Sequence, residues 1–209
     1  LAKLNQRVLV IDIDPQGNAT MGSGINKIDA LATINDVLLN RAEMKQAMQT
    51  TPASYMLLPA NRDLTEAEVG LMTRDKKEMV LLENLAMVEN DYDYILIDCP
   101  PSLNLLTLNA LCAADSVLIP VQCEYYALEG LSDLLETIKQ IKRTVNPKLE
   151  IEGLLRTMFD GRNRLANEVS EQLLHHFPDK VFNTIIPRNI RLAEAPSFGL
   201  PALLYDEYS

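Results

Sequence analysis

Residues 8–18 read Val-Leu-Val-Ile-Asp-Ile-Asp-Pro-Gln-Gly-Asn, an apolar run that stops at Asp12 and Asp14 and breaks on Pro15 and Gly17. The run shows no polar alternation before its aspartates, which suits a strand covered by helices on both faces. In an open α/β sheet ligands lie beyond the carboxyl ends of the strands, so both carboxylates are predicted to border a crevice. Taken alone, an Asp-x-Asp-Pro sequence serves equally well as a turn cap.

Residues 94–102, Tyr-Ile-Leu-Ile-Asp-Cys-Pro-Pro-Ser, repeat the pattern: a strand-like run leads into Asp98. Such an end resembles a Walker B strand, whose carboxylate holds Mg2+ directly or through water. One match of this kind is weak. Two strand ends of the same type in one chain point to a shared phosphate and metal site rather than two unrelated caps.

Along the rest of the chain, apolar runs of strand length alternate with segments of helical period, the pattern of β-α-β units. Strands are predicted at Arg7 to Ile13, Tyr55 to Leu58, Tyr94 to Asp98, Ser116 to Val121, Ile151 to Met158 and Val181 to Ile186. Helices are predicted at Asn61 to Val69, Lys76 to Glu89, Leu103 to Cys112, Leu128 to Val145 and Leu165 to Phe177. Pro147, Pro178 and Pro187 fall in connections, where a missing amide does least harm. The predicted class is α/β, a mostly parallel, doubly wound sheet with helices on both faces. No repeat or low-complexity linker divides the 209 residues, so residues 1–209 are expected to form a single domain.

The chain is 47% hydrophobic, yet no stretch has the length of a spanning helix, and the first residues lack the apolar core of a signal peptide. A cytoplasmic protein without membrane attachment is expected. Cys99, Cys112 and Cys123 form no Cys-x-x-Cys pair and sit in or beside apolar runs, the setting of buried thiols. Met44, Met48, Met56, Met72, Met79 and Met87 read as core filling. His175 and His176, adjacent at a helix end, are expected to face different directions and receive no catalytic role. The net charge is −10, but between Arg156 and Arg191 six Lys/Arg stand against four Asp/Glu. A locally basic face on an acidic chain can meet phosphates or simply be solvated.

Four segments carry a specific resemblance: Asp-Ile-Asp-Pro-Gln-Gly-Asn-Ala-Thr (12–20), Ile-Leu-Ile-Asp-Cys-Pro-Pro-Ser-Leu (95–103), Pro-Val-Gln-Cys-Glu-Tyr-Tyr-Ala-Leu-Glu-Gly (120–130) and Ile-Pro-Arg-Asn-Ile-Arg-Leu-Ala-Glu-Ala-Pro-Ser (186–197). In this order they resemble the chromosomal ParA/Soj partition ATPases, over residues 7–209. The resemblance implies a P-loop NTPase-like fold with ATP and Mg2+ as cofactors. It implies that Asp14, in the first switch, orients or activates the attacking water, with Asp12 beside it in the nucleotide site and Asp98 in the second switch at Mg2+. Pro187 and Asn189 match positions at the adenine end of ATP. A Pro-fixed turn can hold a flat base and an Asn amide both donates and accepts, although an ordinary strand-to-helix turn capped by Asn189 fits as well.

The resemblance further implies an ATP-dependent homodimer that binds duplex DNA without sequence preference and a ParB-type centromere-binding partner that stimulates hydrolysis. Together these drive chromosome or plasmid segregation on the nucleoid. Arg162, Arg164, Arg188 and Arg191 are the candidate DNA contacts, though each serves equally well in a surface ion pair. Tyr125, Tyr126 and Glu129 match a region near the dimer face, or close the core. A membrane-associated MinD-like regulator of division is a rival reading, less well matched by Asp-Cys-Pro-Pro-Ser and Ile-Pro-Arg-Asn.

The family carries a Gly- and Lys-rich phosphate loop ahead of its Asp-x-Asp strand. Here six residues precede Arg7, and none of the eight glycines is followed by lysine. The expectation is therefore of a chain truncated before its first strand and, at Tyr208-Ser209, before its last helix. Such a chain would be unstable alone and inactive, or a remnant that only pairs with an intact partner. A strand missing beside Asp98 would leave unpaired ladder groups and exposed apolar surface.

Overall fold

A computed structural model describes residues 1–206, so the expectation resting on Tyr208 and Ser209 lies outside the described residues. Strand β1 (Val8–Asp12) is followed by the short helices α1 (Asn18–Gly22), α2 (Ile34–Leu38) and α3 (Met44–Ala47), then by β2 (Gln49–Thr50) and β3 (Met56–Leu58). Helices α4 (Leu64–Leu71) and α5 (Val80–Leu85) lead to β4 (Tyr94–Asp98) and α6 (Leu105–Ala113). After them come β5 (Ser116–Gln122), α7 (Ala127–Thr144), β6 (Glu150–Phe159), α8 (Arg164–His176) and β7 (Val181–Pro187), then α9 (Ile190–Glu194) and α10 (Ala202–Tyr205). The chain divides into two compact units: Leu1–Ala113 together with the stretch from Arg191 onward, and Ala114–Ile190.

The first unit holds a sheet of order β2-β3-β1-β4. β1 pairs parallel with both β3 and β4, and only β2 runs antiparallel. Its interior position explains its apolar sequence: Leu9 and Ile11 are fully buried. They pack with Ile34, Leu38, Leu64 and Leu81 from α2, α4 and α5. Arg7 and Asp93 form a forked ion pair, 2.7 Å at its shortest, across the entry to β1 and β4.

β4 closes this sheet on one side, and alternate residues Tyr94 and Leu96 are 46% and 48% exposed. The sequence reads β4 as a strand covered on both faces; the structure leaves one of its rows open. The second unit has its own all-parallel sheet, β5-β6-β7, in which Leu118 of β5 is 48% exposed. The expected mostly parallel α/β architecture is present, as two separately hydrogen-bonded sheets.

In the second unit, α7 buries Leu131, Ile138 and Ile141, and α8 buries Ala166, Val169 and Leu173, each set at helical spacing along one face. Gly153 is dictated by β7: a Cβ there would stand 2.6 Å from the Phe182 ring and 2.8 Å from the Lys180 carbonyl oxygen. Arg156 is the unusual interior residue. It is 6% exposed and donates to the Ser170 hydroxyl at 2.9 Å and the Phe182 carbonyl at 3.0 Å, while its Nε has no hydrogen-bond partner. It therefore drops out of the basic face inferred from the charge count.

Other sequence expectations also change. Helices α1, α2, α3, α9 and α10 went unpredicted because four or five residues are too few to establish a 3.6-residue period. Met44 is buried, but Met72 and Met87 are exposed rather than core filling. The His175 and His176 rings meet edge-on, 5.2 Å between centroids, instead of facing apart.

Candidate functional site

β1 and β4 run parallel and in register, so Asp12 lies across from Asp98 at the carboxyl ends of both strands. The backbone ladder continues one step further, with the Ile13 amide donating to the Asp98 carbonyl at 2.9 Å. Asp12 is fully buried. One of its oxygens accepts from the Thr20 amide at 2.8 Å and the Thr20 hydroxyl at 2.7 Å, and the other accepts from the Asp14 amide at 3.1 Å. Burial raises its carboxyl above the ordinary range, against the pull of these hydrogen bonds. The sequence places Asp12 on the cofactor itself. In this conformation its oxygens are enclosed and committed, and they order the turn that carries Asp14.

Asp14 is half-buried, and its Oδ1 accepts from the Gln16 amide at 2.9 Å, an Asx turn that leaves its other oxygen without a hydrogen bond from any described residue. Gly17 then bends the chain with φ of 62°, and a Cβ there would come 2.7 Å from the Ala60 carbonyl oxygen. A left-handed turn against a neighbouring backbone calls for glycine.

Asp98 is exposed as a residue, yet surrounding atoms desolvate its carboxyl. That desolvation, with the charges of Asp12 and then Asp14, pushes it up to about 6. Among the described residues no Lys, Arg or His forms an ion pair with any of the three aspartates. The result is a patch of uncompensated negative charge at two adjacent strand ends. No cluster of three or more His, Cys, Asp or Glu able to hold a metal ion occurs among the described residues. A divalent cation that takes one or two carboxylates and fills its remaining positions with phosphate oxygens and water fits such a patch. Cys99, next to Asp98, is held as a neutral thiol: burial and the charges of Asp98 and Asp14 push it up to about 12.

In the second unit a polar cavity of about 210 Å3 opens where β5, β6 and β7 end. Gln122, Glu124, Asp160, Asn163 and Arg188 line it. Met158, also on its wall, has φ of 49° where the β6–β7 register slips, a strained conformation for a non-glycine residue. Pro187, the last residue of β7, and Asn189 flank Arg188 in sequence, and neither is among the residues that line the cavity.

The four candidate arginines differ in setting. Arg162 and Arg164 have side chains 92% exposed and pair with Asp160 at 2.8 Å and Glu168 at 2.7 Å. Arg191 pairs with Glu194 at 3.1 Å and Asp206 at 3.4 Å. Arg188 makes no ion pair within 4 Å among the described residues, although its charge helps to lower Asp160 to about 2, after the hydrogen bonds from Arg162. Exposed pairs of this kind are weak, so a phosphate can replace the carboxylate at modest cost. Tyr125 and Tyr126 are 74% and 72% exposed and meet edge to face, so they do not close a core.

Two residues at the carboxylate site escaped the sequence reading. Thr20 is fully buried and binds Asp12; Ala60, after β3, donates its amide to the Thr20 hydroxyl at 2.9 Å. Thr20 stands at the end of the quoted 12–20 motif, and a polar residue in an otherwise apolar or small context was the available signal. Ala60 gave none, since its contribution is made entirely by its backbone.

Comparison with known proteins gives a consistent set of likenesses. A family model described as an AAA domain matches residues 1–151. The chromosome partitioning protein ParA of Myxococcus xanthus is 52% identical over 207 residues, covering 99% of this chain and 73% of that protein. The sporulation initiation inhibitor protein Soj of Bacillus subtilis is 50% identical over 210 residues, covering 100% of this chain and 83% of that protein. Among solved structures, cobyrinic acid a,c-diamide synthase from Mycobacterium smegmatis, with bound ATP analog and magnesium, superposes with a TM-score of 0.85 at 36% identity, over 95% of this chain and 82% of that one.

Proposed function

Because the chain belongs to the ParA/Soj family of chromosome-partitioning ATPases, we propose that it acts as a nucleotide-driven switch, closing as an ATP-bound homodimer on duplex DNA and releasing it on hydrolysis. The observation that carries this reading is the pairing of Asp12 with Asp98 at adjacent strand ends, with Asp14 on the turn beyond and, among the described residues, no basic residue in an ion pair with any of them. Bound Mg2+ would supply neutralisation of the phosphate charge. Asp98 is the residue to hold it, directly or through water. Asp14, with one oxygen that accepts no hydrogen bond from any described residue, orients the attacking water and takes up its proton. Asp12 fixes the backbone from which Asp14 projects.

Pro187 and Asn189 are proposed to face the adenine, an assignment that rests on the match of Ile-Pro-Arg-Asn (186–189) to the family. Arg162, Arg164, Arg188 and Arg191 would contact DNA phosphates, and a ParB-type centromere-binding protein would stimulate turnover on the nucleoid. The deciding experiment measures ATP turnover of the full-length protein with and without Mg2+ and duplex DNA, beside Asp14→Ala and the pair Arg188→Ala and Arg191→Ala. The expected result is Mg2+-dependent turnover, cut at least about tenfold by Asp14→Ala with ATP binding retained. DNA affinity should fall steeply with salt, ignore sequence, and weaken in the arginine variant. Turnover indifferent to Mg2+ or to Asp14 would refute the catalytic assignment; unchanged DNA affinity would refute the arginine one.

A further inference from the structure

We propose that the Thr20 hydroxyl is a positioning group for hydrolysis, holding the Asp12–Asp14 turn against the backbone at Ala60. The proposal rests on the reading of Asp14 as the residue that orients water. Thr20 and Ala60 are both fully buried. A single oxygen atom makes two bonds of opposite sense, donating to Asp12 Oδ2 at 2.7 Å and accepting from the Ala60 amide at 2.9 Å. A hydroxyl can do both at once; the isosteric valine side chain can do neither.

The contacts form a line. Ala60 binds Thr20, Thr20 binds one oxygen of Asp12, and the other oxygen of Asp12 binds the Asp14 amide. Ala60 touches the same turn a second time, because its carbonyl occupies the space that a side chain on Gly17 would need. Both ends of the Asp14–Gly17 turn are thus referred to one buried residue after β3. Among the described residues Asp12 accepts no side-chain or backbone hydrogen bond beyond those from Thr20 and Asp14. Losing the hydroxyl leaves the Ala60 amide unpaired and one Asp12 oxygen held only by the Thr20 amide. The turn that aims Asp14 then loses its anchor, while Asp14 itself is untouched.

The test compares Thr20→Val and Thr20→Ser in the full-length protein by steady-state kinetics and by amide hydrogen exchange. Thr20→Val should lower kcat for ATP about tenfold or more with KM within about threefold, the signature of a lost interaction specific to the transition state. Thr20→Ser, which keeps the hydroxyl, should stay within about threefold of the parent in both constants. The Ala60 and Asp14 amides should exchange at least about tenfold faster in Thr20→Val only, with β1 amides unchanged. Parental kcat in Thr20→Val, failure of serine to restore it, or acceleration spread evenly through β1 would each overturn the proposal, the last by showing general loosening. If the parent itself shows no Mg2+-dependent turnover, the reading of Asp14 fails separately. Exchange at Ala60 and Asp14 then decides whether Thr20 anchors the turn.

Discussion

Asp98 shows how two neighbouring strand ends set the chemistry of one side chain. Its carboxyl titrates near 3.8 when unfolded and near 6 in the fold, because burial and the charges of Asp12 and Asp14 all oppose ionisation. The folded state therefore binds this proton more tightly than the unfolded chain. Its contribution to stability is full below about pH 4 and is lost as pH rises through about 6. Asp98→Asn imitates the protonated form, so without divalent cation it should match the parent at pH 4 and exceed it at pH 7.5. Urea midpoints at the two pH values check this, and a gap independent of pH would dismiss it. Asp12, Asp14 and Asp98 were legible in the sequence because each closes or follows an apolar strand. That both Asp12 oxygens are held by the turn and by Thr20 was not legible, since it depends on a residue eight positions along and on another element.

At the scale of elements, every strand but the two-residue β2 was readable, as were the longer helices, whereas the helices of four or five residues were not. β4 was predicted with its observed bounds, and α7 and α8 to within a residue at each end, because their patterns extend over enough positions to fix a period. The burial of β4 was misread: an unbroken apolar run suggests cover on both faces, yet Tyr94 and Leu96 stand exposed on a strand that ends its sheet. An exposed, apolar strand edge is a template for pairing with other chains. In the chain of residues 1–209, Leu96→Lys should therefore reduce self-association, read by sedimentation velocity, while changing folding free energy by less than about 0.5 kcal/mol, as for an ordinary surface substitution. A large loss of stability would show that Leu96 is packed rather than exposed.

At the scale of the molecule, the first unit is assembled from two distant stretches of sequence. Segment 195–198 packs on α1, and the two glycines at that contact have no room to spare: a Cβ on Gly24 would stand 2.7 Å from the Gly199 carbonyl oxygen. Gly24 also has φ of 82°. Gly24→Ala should cost the first unit about 1–3 kcal/mol through strain and overlap. Hydrogen exchange should localise the effect to residues 1–113 and 191–206 and leave 114–190 unchanged. Neither the division into units nor this closure could be read from sequence, because composition does not change at Ala114 or Arg191. The discontinuity also sets an order of events during synthesis. As the chain leaves the ribosome, residues 1–113, which bear the carboxylates, emerge ahead of residues 114–190 but lack their closing segment. All of 114–190, a continuous stretch able to pair its own strands, must be translated before that segment arrives, so the first unit is completed only after the stretch that follows it in sequence.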